Sequence, residues 1–201
     1  KGIEWVTNLK NDDGTPVIEV VNMSLGGTGK VDAYRTAIQK SVNAGIVYVV
    51  AAGNESKDIY GRDKTFNTRD DIIPAAYPEV ATISAMADSD GKPGGTGGST
   101  NYGVDDSFAS FSNYSGSVVV SGIPVTSPGK AIDLLLPGVS ILSTYKDNQY
   151  ATMSGTSMAS PHGAGLAALY IAEHVRATNA AGVYAIRQAL IDQGQSQTSS
   201  N

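Results

Sequence analysis

The sequence of 201 residues contains no cysteine. This absence excludes disulfide bridges, thiolate metal sites and cysteine nucleophiles. Basic residues are also few, since 14 Lys and Arg against 19 Asp and Glu leave a formal net charge of -5. A chain with this balance has no basic surface for phosphate contacts, so we expect no nucleic acid partner.

Long apolar runs are missing as well. No uninterrupted stretch approaches the roughly eighteen residues that a membrane-spanning helix requires, so we predict no membrane span. The chain begins with Lys1 and shows no signal-like start. We therefore expect that the beginning of the gene product is missing, and that the chain is a mature form, a processed form or a deliberately shortened one.

What the sequence does contain is typical of an α/β domain. Residues 17–23 and 46–52 are β-branched and almost continuously apolar, as in parallel strands that are buried on both faces. Between them, residues 32–43 carry apolar side chains at a helical period. The order strand, helix, strand predicts a crossover unit with a parallel sheet flanked by helices.

The remaining segments extend this pattern to one domain that covers residues 1–201. Further strands are predicted at 80–85 and 131–136, with a hairpin strand at 150–153. Further helices are predicted at 2–9, 156–176 and 181–192. Three stretches rich in Asp, Gly, Ser or Thr are predicted to be surface insertions, at 55–73, 88–107 and 118–130.

The densest motif lies where the hairpin gives way to a long helix, because residues 155–163 read GTSMASPHG. A serine at a helix N-terminus lies near unpaired backbone donors and the positive end of the helix dipole, which favours the anion formed in acyl transfer. The motif resembles that of the subtilisin family of serine proteases. The resemblance implies that Ser157 is the nucleophile; the alternative is a serine that caps the helix.

A second motif ends the apolar run at 46–52, where Gly53 and Asn54 follow the predicted strand. An asparagine at this end of a parallel strand can direct its amide into the crevice where α/β proteins bind ligands. By resemblance to the subtilisin family, Asn54 is the side-chain half of the oxyanion hole and the Ser157 N–H is the other half. The alternative is a turn asparagine in the left-handed conformation.

A third motif, NMSLGG at residues 22–27, also leaves a buried strand for a Gly-rich segment. Its bare backbone could pair with an extended peptide as an added strand. The resemblance implies two walls of a pocket for the substrate residue before the scissile bond. The residues of these walls are Ser24, Leu25 and Gly26 on one side and Ala51, Ala52 and Gly53 on the other.

A serine hydroxyl requires a base, and the base requires an orienting acid. His162 and His174 fit neither role, because His162 points away from Ser157 on the same helix and His174 lies several turns further on. In the subtilisin family the Asp and His precede the Ser along the chain, and no segment here resembles their motifs. We therefore expect a subtilisin-like three-layer fold whose N-terminal part, with the Asp and His, is absent, and a chain that is inactive alone.

Two rival functions remain open at this point. One is a catalytically inactive subtilisin-like domain kept for peptide binding or assembly. The other is an esterase or another α/β-hydrolase, which is disfavoured because the Gly-x-Ser-x-Gly elbow is absent around Ser157.

Cofactors and partners follow from the resemblance. The expected substrate is a protein or peptide, the expected location is extracellular, and the chemistry requires no cofactor. The segment 74–80 resembles one that holds structural calcium on backbone carbonyls, here those of Ala75, Tyr77 and Val80. Residues 88–91 are predicted to be a solvated turn, because Ser99 stands where an EF-hand has its acidic twelfth ligand.

Overall fold

A mostly parallel β-sheet lies at the centre of the fold. The computed structural model describes residues 1–116 and 131–195, so the predicted insertion at 118–130 lies outside the described residues. In chain order the elements are α1 (Gly2–Asn8), β1 (Val20–Met23), β2 (Gly27–Thr28), α2 (Asp32–Asn43), β3 (Val47–Ala51), β4 (Ile72–Ile73), β5 (Ala81–Ala87), β6 (Ser107–Phe108), β7 (Leu134–Pro137), β8 (Ile141–Tyr145), β9 (Gln149–Met153), α3 (Thr156–Glu173) and α4 (Ala180–Gln193).

The main sheet has the parallel order β1-β3-β5-β7, and β6 pairs antiparallel with the last residues of β5. Strand β3 is buried along its whole length, as its continuous apolar run predicts. Strands β8 and β9 form a separate antiparallel hairpin that leads directly into α3.

Helices cover both faces of this sheet. The Tyr48 hydroxyl lies 2.8 Å from the Ser41 hydroxyl of α2, so α2 packs on the face to which Tyr48 points. A Cβ placed on Gly163 of α3 would lie 3.1 Å from Cγ1 of Val49, so α3 packs on the face to which Val49 points. Successive side chains of a strand point to opposite faces. The predicted three-layer α/β fold is therefore confirmed.

The predicted elements agree with the structure except at their ends. Strand β1 begins at Val20 rather than at residue 17, because its parallel partner β3 begins with Val47 opposite Val20. Helix α3 ends at Glu173 rather than at residue 176, and His174 is its C-cap. The two-residue strands β2, β4 and β6 are too short to produce a periodic pattern and were not predicted.

The prediction of a surface insertion at 55–73 is wrong for residues 58–60 and 71–73, which are buried. Ile59 and Tyr60 are 0% and 1% exposed, and Ile72 and Ile73 also belong to the hydrophobic core. Residues 55–57 and most of residues 61–70 are exposed or partly exposed. The apolar residues within 58–60 and 71–73 pack inward because burial of their surface outweighs the polar character of the segment as a whole.

Most of residues 88–107 are exposed or partly exposed. The first turn of this segment is closed by the Asp88 carboxylate, which accepts hydrogen bonds from the N–H groups of Asp90 and Gly91.

The helices of the described residues are too short or too polar to span a membrane.

Candidate active site

The predicted site residues come together where two neighbouring strands end beside the N-terminus of α3. Met23 pairs with Val50 in parallel register, so the segments that follow β1 and β3 leave the sheet side by side. Ligands of open α/β sheets bind at this carboxyl edge. The topology therefore places Ser24, Asn54 and Ser157 around one crevice.

Ser157 is the second residue of α3 and is partly exposed. Its Oγ lies 3.5 Å from the carbonyl oxygen of Ser24, and the Ser24 hydroxyl donates to the carbonyl oxygen of Ser157 at 2.9 Å. Gly155 is the N-cap of α3, so the alternative in which Ser157 caps the helix is wrong. Within residues 1–116 and 131–195 the Ser157 N–H has no hydrogen-bond acceptor.

The Asn54 side chain is exposed, and its orientation is fixed by hydrogen bonds to its amide oxygen. Its Oδ1 accepts hydrogen bonds from the N–H of Thr156 at 2.8 Å and from the Thr156 hydroxyl at 3.0 Å. The Thr156 hydroxyl in turn accepts from the N–H of Gly53 at 3.0 Å. The positive φ of 102° belongs to Gly53, and Asn54 is not left-handed, so the turn-asparagine alternative is wrong. In the described part of the chain the Asn54 Nδ2 donates to no acceptor.

Gly155 leaves open space beside this amide. Its N–H donates to the carbonyl of Gly138 at 2.8 Å, which fixes the start of α3 against the end of β7. A Cβ on Gly155 would lie 3.5 Å from the Asn54 Nδ2. A side chain here would occupy the space in front of the amide.

The residues of the predicted pocket walls differ in exposure. Ser24, Leu25 and Gly26 are all exposed, and a Cβ on Gly26 would lie 3.2 Å from the carbonyl oxygen of Ile73. In the second wall, Ala51 and Ala52 are 5% and 0% exposed, and Gly53 is partly exposed. The first wall is therefore open to a ligand, whereas the second presents mainly Gly53; their role in substrate binding stays a prediction.

Strand β4 pairs antiparallel with β2, which begins three residues after Ser24. The Gly29 N–H donates to the carbonyl of Asp71, just before β4. The Asp71 side chain is 1% exposed, and burial raises its pKa to about 6 although the N–H groups of Asn67 and Thr68 donate to it.

Neither histidine reaches Ser157. The Nδ1 of His162 lies 2.8 Å from the carbonyl oxygen of Met158, one turn back on the same helix. His174 is held in the same way by Tyr170 at 2.9 Å and stacks on its ring. The Nδ1 atom of each histidine thus bonds within α3, and neither side chain forms a hydrogen bond with Ser157 in the described part of the chain.

Sequence reasoning missed several residues that assemble the site. The Ser160 hydroxyl donates to the Asn22 Oδ1 at 2.6 Å, and the Asn22 Nδ2 donates to the Ser24 hydroxyl at 3.0 Å. Asn22 lies inside the quoted NMSLGG motif and Thr156 inside GTSMASPHG, so their motifs were the available signal. Asn113, which contacts the Asn54 segment from another part of the chain, gave no signal.

Two places could hold a metal ion. The Ala75 carbonyl already accepts from the Thr82 hydroxyl at 2.7 Å and the Tyr77 carbonyl from the Val80 N–H at 3.3 Å, which leaves each with one lone pair. The calcium prediction for Ala75, Tyr77 and Val80 stays a prediction. Carboxylate oxygens of Asp88, Asp105 and Asp106 lie within 4.8 Å of one another, but all three carboxylates accept backbone N–H groups of their own loop.

Comparison with known proteins places this chain in a family. The model of the subtilase family matches residues 1–201. The chain is 35% identical over 179 residues to subtilisin E of Bacillus subtilis (strain 168) and 38% identical over 172 residues to a cuticle-degrading serine protease of Arthrobotrys oligospora. These alignments cover 89% and 85% of the chain but 35% and 31% of the two relatives.

Solved structures show the same partial coverage. A cold-adapted subtilisin-like serine proteinase is 31% identical with a TM-score of 0.64, and the match covers 96% of this chain and 52% of that one. A protease from Pseudoalteromonas arctica is 25% identical with a TM-score of 0.67, and the match covers 97% and 50%. The chain therefore spans about a third of the length of these two curated relatives and about half of the length of these two solved chains.

Proposed function

Because this chain belongs to the subtilase family, we propose that the protein containing it is a serine endopeptidase that forms an acyl-enzyme on Ser157. The Ser157 Oγ attacks the carbonyl carbon of the scissile peptide bond while its proton passes to a base. The tetrahedral intermediate then collapses, the C–N bond breaks, and the leaving amine takes up the proton. Water releases the acyl group in the reverse sense.

One observation supports this proposal above the others. The Ser157 N–H and the Asn54 Nδ2 have no acceptor in the described part of the chain, and Thr156 ties the two residues together through its own N–H and hydroxyl. Two neutral donors beside one hydroxyl are what a developing oxyanion requires. We assign the oxyanion hole to these two groups.

The base and the orienting acid belong, in this proposal, to a segment outside the 201 residues. Both histidines of the chain are held by carbonyls of α3. Leu166 and Leu169 on α3 are 42% and 64% exposed, and Tyr150 on the β8–β9 hairpin is 72% exposed. A helix that is apolar all round is normally covered on every side. We propose that the segment carrying the Asp and the His covers these exposed apolar side chains.

Covalent labelling by a fluorophosphonate probe tests the assignment of Ser157. The full-length protein and the 201-residue chain are labelled side by side, with Ser157→Ala as the test variant and Ser154→Ala as the matched control. We expect labelling of the full-length protein that survives in Ser154→Ala, is lost in Ser157→Ala and maps to the peptide containing Ser157. We expect no labelling of the 201-residue chain alone.

The rival function is an inactive subtilisin-like domain that binds peptides. The absence of a reachable histidine within this chain is the observation that favours it. If folded full-length protein resists the probe but still binds an extended peptide, the rival replaces the protease proposal.

Two further proposals depend on the family alone. Export of the protein from the cell is tested by protease activity in the culture medium, and activity confined to the cells rejects it. Structural calcium on the carbonyls of Ala75, Tyr77 and Val80 is tested by calorimetric titration of chelator-treated protein with calcium. A titration without heat of binding rejects the ion.

A further inference from the structure

Asn113 is a completely buried residue, and all the hydrogen bonds of its side-chain amide go to the segment around Asn54. Its exposed fraction is 0%. The Nδ2 donates to the Ala52 carbonyl at 2.9 Å and to the Glu55 carboxylate at 2.7 Å. The Oδ1 accepts from the N–H groups of Glu55 and Lys57, both at 3.0 Å. Two donated and two accepted bonds are the full capacity of a primary amide.

The backbone of Asn113 adds to the same arrangement. Its N–H donates to the Gly53 carbonyl at 2.9 Å. Its own carbonyl accepts from the hydroxyl of Ser84, a buried residue in the middle of β5, at 2.8 Å. Asn113 thus connects the segment after β3 to the centre of the sheet.

The bonds of Asn113 bracket Asn54 on both sides without touching its side chain. They reach Ala52 and Gly53 before it and Glu55 after it, and the Glu55 Oε2 also accepts from the Asn54 N–H at 3.0 Å. The Asn54 side chain is fixed separately by Thr156. Thr156 holds the amide oxygen of Asn54, and Asn113 holds the main chain on either side of it. The Asn54 Nδ2 therefore has little freedom to move.

The glycine before Asn54 fits this arrangement. Gly53 has φ of 102°, and a Cβ there would lie 2.3 Å from the Nδ2 of Asn113. The buried amide therefore occupies the space that any side chain at position 53 would need. In a low-dielectric interior such a fully satisfied network is rigid.

We infer that Asn113 is a positioning residue that holds the Asn54 amide in the geometry required by the oxyanion. This inference rests on the proposed function, because it needs Asn54 to be the donor. Donors that are fixed before the reaction stabilise the transition state most. Loss of Asn113 should therefore lower kcat and leave ground-state peptide binding nearly unchanged.

A double-mutant cycle in the full-length protein tests the inference through kcat and KM on a peptide substrate. We expect Asn113→Ala to lower kcat about 10-fold to 100-fold and to change KM less than about three-fold. Asn54→Ala should lower kcat by about 10²–10³, a figure that was itself obtained on the family's asparagine. In the Asn54→Ala background, Asn113→Ala should lower kcat by no more than about two-fold.

The possible outcomes distinguish failure of the proposed oxyanion role of Asn54 from failure of the positioning role of Asn113. If Asn54→Ala leaves kcat unchanged, the proposed oxyanion role fails and the inference fails with it. If Asn54→Ala lowers kcat but Asn113→Ala costs the same factor in both backgrounds, Asn113 is merely structural and only the inference is overturned. Near-ultraviolet circular dichroism establishes that each variant is folded.

Two variants of the exposed residue Glu55 provide a second test if Asn113→Ala does not fold. Glu55 is exposed, and its carboxylate bridges the Asn54 N–H and the Asn113 amide. Glu55→Gln keeps an acceptor oxygen and Glu55→Ala removes it, while both remove the charge. We expect a lower kcat in Glu55→Ala than in Glu55→Gln, and no such difference when Asn54 is Ala. Equal kcat values in the two variants overturn the inference.

Discussion

The Thr156 hydroxyl lies between Asn54 and Gly53. It donates to the Asn54 Oδ1 at 3.0 Å and accepts from the Gly53 N–H at 3.0 Å. Thr156 is 0% exposed, so neither bond is exchanged with water. The residue before the proposed nucleophile therefore sets the orientation of the proposed oxyanion donor and links the end of β3 to the start of α3.

Replacement of Thr156 by Val removes this hydroxyl and keeps the shape of the side chain. We expect kcat of the full-length protein to fall about five-fold, because a hydrogen bond contributes about 1 kcal/mol and about 1.4 kcal/mol is a factor of ten in rate. Thr156→Ser keeps the hydroxyl and should retain most of the activity. A Thr156→Val variant with unchanged kcat and raised KM would contradict the orienting role.

Tyr48 and Tyr60 form a matched pair for stability. Each is 1% exposed, but the Tyr48 hydroxyl bonds to Ser41, whereas the Tyr60 hydroxyl has no partner in the described residues. We expect Tyr48→Phe to lower the free energy of unfolding by about 1–2 kcal/mol, since Ser41 also loses its partner. Tyr60→Phe should be neutral or stabilising by about 1 kcal/mol.

Urea unfolding of the full-length protein measures both changes under the same conditions. The opposite order, with Tyr60→Phe the more destabilising variant, would mean that the Tyr60 hydroxyl is satisfied in solution.

The buried carboxyl of Asp71 predicts a pH-dependent stability. Its folded pKa is about 6 and its ordinary value is 3.8, so the folded state binds the proton more tightly than the unfolded state. Stability from this group is therefore present below about pH 4 and is lost as the pH rises through about 6. At one pKa unit per 1.36 kcal/mol, the loss is at most about 3 kcal/mol.

Asp71→Asn isolates this contribution because an amide cannot ionise. Relative to wild type, the Asn variant should gain unfolding free energy between about pH 4 and about pH 7. Asp70→Asn is the neighbouring control, since hydrogen bonds from Thr68 and Arg62 lower the pKa of Asp70 instead. A constant difference between Asp71→Asn and wild type across this range would show that burial does not raise the pKa of Asp71.

The fold and the centre of the candidate site could be predicted from the sequence because each depends on a pattern within a short stretch of the chain. The run before Asn54 is apolar throughout, as a two-face-buried strand must be, and Ser157 lies in a motif of nine residues. Asn113 and Asp71 have no such local mark. The burial of Asp71 and the bonds of Asn113 arise from contacts across long sequence separations, which only the folded chain displays.

The same limit explains the error at residues 55–73. The segment is polar on average, and polar segments are usually on the surface. Ile59 and Tyr60 nevertheless enter the core because the Ile59 N–H pairs with the Tyr114 carbonyl, which draws the start of the segment inward. A pairing between residues so distant in the chain cannot be read from a window of either segment.

The exposed side of α3 leads to a last prediction, which concerns how the chain completes its domain. Leu169 is 64% exposed on a helix whose opposite face packs on the sheet through Gly163 and Ala167. If a further segment of the protein covers this side, Leu169→Asp places a charge in an interface, at a cost of about 2–4 kcal/mol in the full-length protein. In the 201-residue chain the same change should cost little, because the position is open to water.

Ala185→Asp, on an exposed position of α4, is the matched control and should be tolerated in both proteins. Thermal unfolding of all four variants against the two parents gives the comparison. Destabilisation by Leu169→Asp in the full-length protein alone means that α3 is sandwiched between the sheet and a further segment. Equal tolerance in both proteins would leave this face of α3 in solvent and would remove the structural support for a base supplied from that side.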